Sequence, residues 1–295
     1  MIGRSRRQEP VLEGAAKLHG PVREALGSMR TRAGLVLCGI ILGIAVIGPY
    51  LAPHGTTDFV GAPLAAPSSN ALLGTDGVGH DVLSRFLAGG RNVLLLSVLA
   101  TLITIIGGTA VALLAGYSRR AGDEVLMRAM DLLLAFPPIV LALMCVSVVG
   151  PAAWLIVLVV GVSQLPQTAR VVRASVVQVR DLDFVKYSEA VGLPKRRILR
   201  EQMLPNVTAP LMVEIGIRLT FAIGLIASLD YLGLGVQVPH PDWGLDIQQN
   251  QGTLTVAYWP VLIPVLAIAV LTIGTNLVTD GIARSVGGID RKVDA

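Results

Sequence analysis

Residues 184–205, FVKYSEAVGLPKRRILREQMLP, are polar and basic in a chain whose surroundings are apolar. Their punctuation predicts a short helix over Phe184–Val191 that stops at Gly192, because a glycine takes the left-handed cap conformation without a Cβ penalty. Leu193 is pushed toward extended geometry by the proline after it. Pro194 suits the first position of a second helix, where its missing N–H leaves nothing unsatisfied, and Pro205 repeats that start for the apolar run that follows. The product is a helix, a sharp bend and another helix, set outside the apolar segments. By composition and spacing alone, a solvated connection and a docking element for another protein stay equally open.

What surrounds this stretch decides the class of molecule. Of 295 residues, 53% are hydrophobic and 15% charged, with a mean hydropathy of +0.68, which is too apolar for a soluble domain. The chain reads as an all-α integral membrane protein. Cys38 and Cys145 both fall in apolar runs, which predicts packing roles and neither a disulfide framework nor a thiolate metal site. His19, His54, His80 and His240 all fall outside the runs without metal-ligand spacing, so surface positions and no metal site are expected.

Working outward, six runs are predicted to cross ~30 Å of hydrocarbon. They are Gly34–Ala52, Val93–Gly116, a third that begins after Asp131 and continues to about Val149, Ala152–Leu165, Leu211–Leu232 and Trp259–Val278. The Pro137-Pro138 pair should kink the third or start it late, and the fourth is short unless its helix continues toward Arg170. This divides the chain into a basic N-terminal segment, 1–33, with a surface helix near Pro21–Met29, a six-helix unit, 34–285, and a tail, 286–295. Within the unit lie an outer segment, 53–92, and the basic loop, 170–208. A cleaved signal peptide is disfavoured, because the polar region before the first run is too long and the run too extended.

The basic residues orient the spans. Of 24 Lys and Arg, seven precede the first run, three lie in 118–130, eight in 170–200 and three after 281, against two in 53–92 and none in 233–258. By the positive-inside rule both termini and the 184–205 loop are cytoplasmic. None of the four lysines, at 17, 186, 195 and 292, follows a glycine, so a Walker-type nucleotide loop is missing. No paired intramembrane carboxylates, activated nucleophile or GxSxG elbow stands out, so no catalytic residues are expected.

Gly192 and Leu204-Pro205 have the spacing of the cytoplasmic loop in ATP-binding-cassette importer permeases, whose pattern is Glu-Ala-Ala, three residues, Gly, then Leu-Pro. Here Lys186 stands at the Glu position and Tyr187 and Ser188 at the two alanines, with Glu189 and Ala190 three residues later. Three further stretches resemble the dipeptide, oligopeptide and nickel importers, specifically their second permease subunit, of the DppC/OppC type: GTDGVGHDVLSRFLAGGRN (74–92), MRAMDLLLAFPP (127–138), and LDYLGLGVQVPHPDWG (229–244) with TNLVTDGIARSV (275–286) after it. Four matches in order cover most of residues 70–285.

The resemblance implies a type I importer transmembrane domain in the bacterial cytoplasmic membrane, carrying peptides as half of a heterodimer with a homologous permease. It also implies an external substrate-binding protein and two ATPase subunits, or one fused ATPase, which would bind the ATP and Mg. The coupling contact would fall on Lys186, Tyr187, Ser188, Glu189, Ala190, Val191, Gly192, Leu193, Pro194, Lys195 and Arg196. No cofactor in this chain and no nucleic-acid partner are expected. A nickel or metal-chelate importer is the alternative cargo class. An ion-coupled secondary transporter would show an inverted repeat or unpaired acidic residues at mid-span, and neither is visible.

Intramembrane charges cost ~2.5–3.5 kcal/mol each on insertion scales. Glu214 and Arg218, four apart on the fifth run, face the same way and pair. The pair either pins two helices together, the favoured reading, or lines a pathway and binds the charged termini of a peptide. Asp230 and Asp280 lie near span ends, where solvation or capping is expected, and Asp131 reads as a helix-start or interface residue.

Overall fold

The computed structural model describes residues 27–118, 121–235, 237 and 239–287. The expectations for the helix near Pro21 and for the C-terminal tail fall almost wholly outside them. Among the described residues the elements are helices and connections, with no named strand. Five helices are each long and apolar enough to cross a membrane, and a bent pair makes a sixth.

Helix α1, Met29–Leu51, starts five residues before the predicted run because Ser28 accepts the Thr31 N–H at 3.1 Å and caps it. Helix α2 runs Val82–Tyr117, beginning at Val82 and not at Val93 as hydropathy alone implies. Its early start comes from Asp81, whose carboxylate accepts the N–H groups of Leu83 and Ser84. At 36 residues it is about 54 Å long, so its first turns stand clear of the hydrocarbon. Helices α3, Ala121–Leu134, and α4, Pro138–Val149, meet at a 78° bend. The Pro137-Pro138 pair produces it, as expected, since neither proline donates an N–H and the second holds the first in extended geometry, at ψ 131°.

Helix α5, Ala153–Arg180, does not stop near Leu165 but runs through Pro166 for 28 residues. Partners for its polar end sustain it: Arg170 pairs with Asp131, Arg173 with Asp123, and Arg180 donates to the Gly116 carbonyl at 2.9 Å, closing the end of α2. Asp131 is therefore an interface residue, not a helix start. Helices α2 and α5 form the most extensive pair. Gly161 permits their approach, because a Cβ there would sit 2.8 Å from that of Ile103, and Thr104 donates to the Gly161 carbonyl at 2.8 Å.

After α5 come α6, Asp183–Ala190, and α7, Lys195–Arg197, which continues through a π-helical turn, Ile198–Met203, into α8, Leu204–Asn206. Then follow α9, Thr208–Tyr231, α10, Trp243–Asn250, and α11, Trp259–Gly287. Helix α1 packs on α11, and α9 on α11, α2 and α5.

The outer segment is built from polar side chains that serve its backbone. Asp76 Oδ1 accepts the N–H groups of Val78, Gly79 and His80, while Oδ2 meets His80 Nδ1 at 3.0 Å. His80 is thus a partly buried structural residue rather than a free surface one. Arg85 donates to Asp246 from Nε at 2.9 Å, and Asn250 Oδ1 accepts the Gly77 N–H at 2.9 Å, tying this segment to α10. Trp243, fully buried, stacks on Phe86 and donates to the Phe86 carbonyl at 2.9 Å. Burial pushes the Asp246 carboxyl up, with Arg85 opposing it. Burial first and neighbouring Asp230 second push that of Asp242 well up. Asp230 is buried too, not solvated as its place near a span end implies.

Candidate functional site

The basic stretch takes the bent shape its glycine and prolines predict. Gly192 has φ +81°. Its N–H donates to Glu189 and that of Leu193 to Ser188, at 3.0 and 3.1 Å, the two bonds of a Schellman cap on α6. Nothing lies within 4 Å of a Cβ placed on Gly192, so its conformation, not its size, requires a glycine there. Pro194 departs from expectation. It is the N-cap of α7, with ψ 138°, rather than its first helical residue. Pro205 departs as well: it sits inside a continuous helical run instead of starting α9. A proline ring displaces the carbonyl four residues back, and the run widens there, with Leu204 donating to Leu199 five residues earlier.

Helix α6 does not stand away from the bundle as a free arm. Its inner face, Val185 and Ser188, is buried against Val172, Val176, Ile198, Met203 and Val207. Ser188 accepts from Gln202 Nε2 at 2.7 Å. The outer face carries Lys186, Tyr187, Ala190 and Val191, all exposed, Tyr187 to 71% and Val191 to 61%. Pro194, Lys195 and Arg196 are exposed beyond the bend, and Glu189 and Leu193 are half-buried. Those last two, with Lys195 and Leu199, face the end of α2 (Leu114, Tyr117, Ser118) across a cavity of about 720 Å³. Ten of the eleven positions expected to make the coupling contact thus reach the surface, and Ser188 is the one turned inward.

Glu214 and Arg218 meet as spacing predicts. Arg218 Nε donates to Glu214 Oε2 at 3.0 Å, and Thr168 Oγ1 of α5 donates to the same oxygen at 3.0 Å. The two residues are 3% and 9% exposed. The Arg218 guanidinium also lies 5.3 Å over the Phe221 ring. Sequence reasoning missed Thr168, because α5 was expected to end before it. It missed Gln164 for a different reason: that residue lies inside the predicted fourth run, Ala152–Leu165, where hydropathy averaged over the run hides a single glutamine. Among the described residues no three His, Cys, Asp or Glu side chains are grouped to hold a metal ion.

Residues 107–288, which hold α5 to α9 and the capped bend, match the family described as binding-protein-dependent transport system inner membrane component. The chain belongs to this family. It is similar to the di/tripeptide transport system permease protein DppC of Pseudomonas aeruginosa, 34% identical over 256 residues and 84% of each chain. It also resembles the dipeptide permease DppC of Alkalihalophilus pseudofirmus, 32% identical over 89% of this chain and 88% of that one. A third relative is the glutathione permease GsiD of Pectobacterium atrosepticum, 32% identical over 85% of this chain and 83% of the relative. As an inner membrane component with several apolar helices, this permease is a multi-pass protein of the bacterial inner membrane.

Proposed function

We propose that this permease subunit forms half of a pathway that carries peptides inward, driven by ATPase subunits that dock on α6 and the bend after it. The observation that carries the reading is the two-sided build of α6. Its inner face is held by Val185, which shares an apolar cluster with Val172 and Val176 at the end of α5, and by Ser188, which accepts from Gln202, while Lys186, Tyr187, Ala190 and Val191 are exposed among the described residues. A push on the outer face is therefore delivered to α5, and through α5 to α2. With no Walker-type loop in the sequence, the energy must come from another chain. The positive-inside count supports placing α6 and both termini in the cytoplasm. Peptide cargo is supported by the names of the relatives, and the family description supports an external binding protein. A homologous second permease completes the pathway, and alternating access opens the interface between the two.

The test is reconstitution. The permease, its co-encoded second permease and ATPases should purify as one complex, and proteoliposomes should take up dialanine only with ATP and binding protein. Uptake that persists without ATPase subunits, or follows an ion gradient, would sink the reading.

A further inference from the structure

Gln164 is 2% exposed on α5, and neither its amide oxygen nor its amide nitrogen meets a hydrogen-bonding partner. A buried carboxamide left this way costs stability without return to the fold. Its place is specific. One turn on along α5, Thr168 donates to Glu214 of α9; one turn back, Val160 shares a hydrophobic core with Ala222 of α9. Helices α5 and α9 therefore run antiparallel past each other, and Gln164 lies at the level of Arg218. Among the described residues Arg218 donates through Nε, to Glu214. Its terminal nitrogens make no hydrogen bond to the described residues, and its planar face lies over Phe221, which is 57% exposed. A guanidinium so held presents a two-donor edge that matches a carboxylate.

We propose that Arg218 and Gln164 form a subsite for the C-terminal carboxylate and last peptide group of the cargo, with Phe221 at its rim and Glu214 and Thr168 as positioning residues that aim Arg218. The inference rests on the peptide-cargo reading and adds where, and by which charge, the permease touches its substrate. A helix-pinning pair alone would account for Glu214, Thr168 and Arg218 Nε. It leaves the two guanidinium nitrogens and the Gln164 amide without a task.

The test uses the whole importer in proteoliposomes, with saturating binding protein, Cys38 and Cys145 replaced by serine, and Phe221→Cys as a reporter for a water-soluble maleimide. Dialanine should slow labelling at least threefold, and dialanine amide, which lacks the carboxylate, should not. Arg218→Gln and Gln164→Leu should each abolish this protection and lower dialanine uptake tenfold or more, the factor a charge-assisted hydrogen bond supplies. Gln164→Leu separates binding from folding: an apolar side chain of similar length relieves the orphaned amide, so the complex should melt at the same or a higher temperature while uptake falls. A lower melting temperature with proportionate loss of uptake would make Gln164 structural and overturn the proposal. So would equal protection by dialanine and its amide, or a Phe221→Cys reporter inert to the aqueous reagent, which would put this face in lipid. Failure of the unaltered importer to take up dialanine would overturn the cargo reading and the subsite together. Normal uptake and protection in both variants would overturn the subsite alone.

Discussion

Replacing Gly192 by valine isolates the backbone geometry of the bend from every other property of the loop. An added Cβ meets nothing within 4 Å, so no steric clash with neighbours enters, and Gly192 lies between apolar runs, so membrane insertion is untouched. The whole effect comes from φ +81°, a region where a β-branched residue costs roughly 1–3 kcal/mol. At about 1.4 kcal/mol per factor of ten, that lowers the ratio of capped to uncapped conformations roughly 5- to 150-fold. If only the capped form binds, the affinity of the ATPase for the bend should fall with the capped fraction, by as much as that factor once the uncapped form dominates. Asparagine tolerates this region better than other residues with a Cβ, so Gly192→Asn should recover most of the loss. Binding of detergent-solubilised permease pair to immobilised ATPase, with ATP-driven dialanine uptake alongside, measures both effects. Gly192→Val with ordinary ATPase affinity and uptake would refute the argument that this bend is held for coupling.

Three further outcomes are expected. A cysteine at Ala190, exposed on α6, should react only with reagents that reach the cytoplasm, whereas one at Val78 or His240, also exposed, should label from outside; external labelling at 190 would reverse the topology. Reversing either charge of the buried Glu214 and Arg218 pair should cost about 3–5 kcal/mol, seen as lost complex on size exclusion, and reversing both should restore assembly but not dialanine uptake. For Asp242, a folded-state pKa raised above 3.8 means the native protein binds more protons than the unfolded chain. Its contribution is then fully present below pH 3.8 and is lost as pH rises toward the raised value. Asp242→Asn keeps the cap acceptor toward Gly244, so it should raise the melting temperature at pH 7 and flatten its dependence on pH; an unchanged pH profile would discount burial of that charge.

The residues themselves determined the order of apolar runs, the break at Pro137-Pro138 and the glycine-capped bend. Each depends on local quantities: transfer energy summed along a window, a missing N–H, a missing Cβ. The i, i+4 pairing of Glu214 with Arg218 was legible for the same reason, since one helical turn sets it.

Helix ends were less legible, because they are decided by partners far along the chain. Helix α2 begins at Val82 since Asp81 caps it and Arg85 finds Asp246, 161 residues away. Helix α5 carries its charges to Arg180 because Asp131, Asp123 and the Gly116 carbonyl receive them. Only the packed helices show that Ser188 turns inward beneath the otherwise exposed outer face of α6. They alone bring Gln164 to the level of Arg218 with its amide unsatisfied, because that level is fixed by the antiparallel register of α5 on α9, and no window of sequence contains both helices.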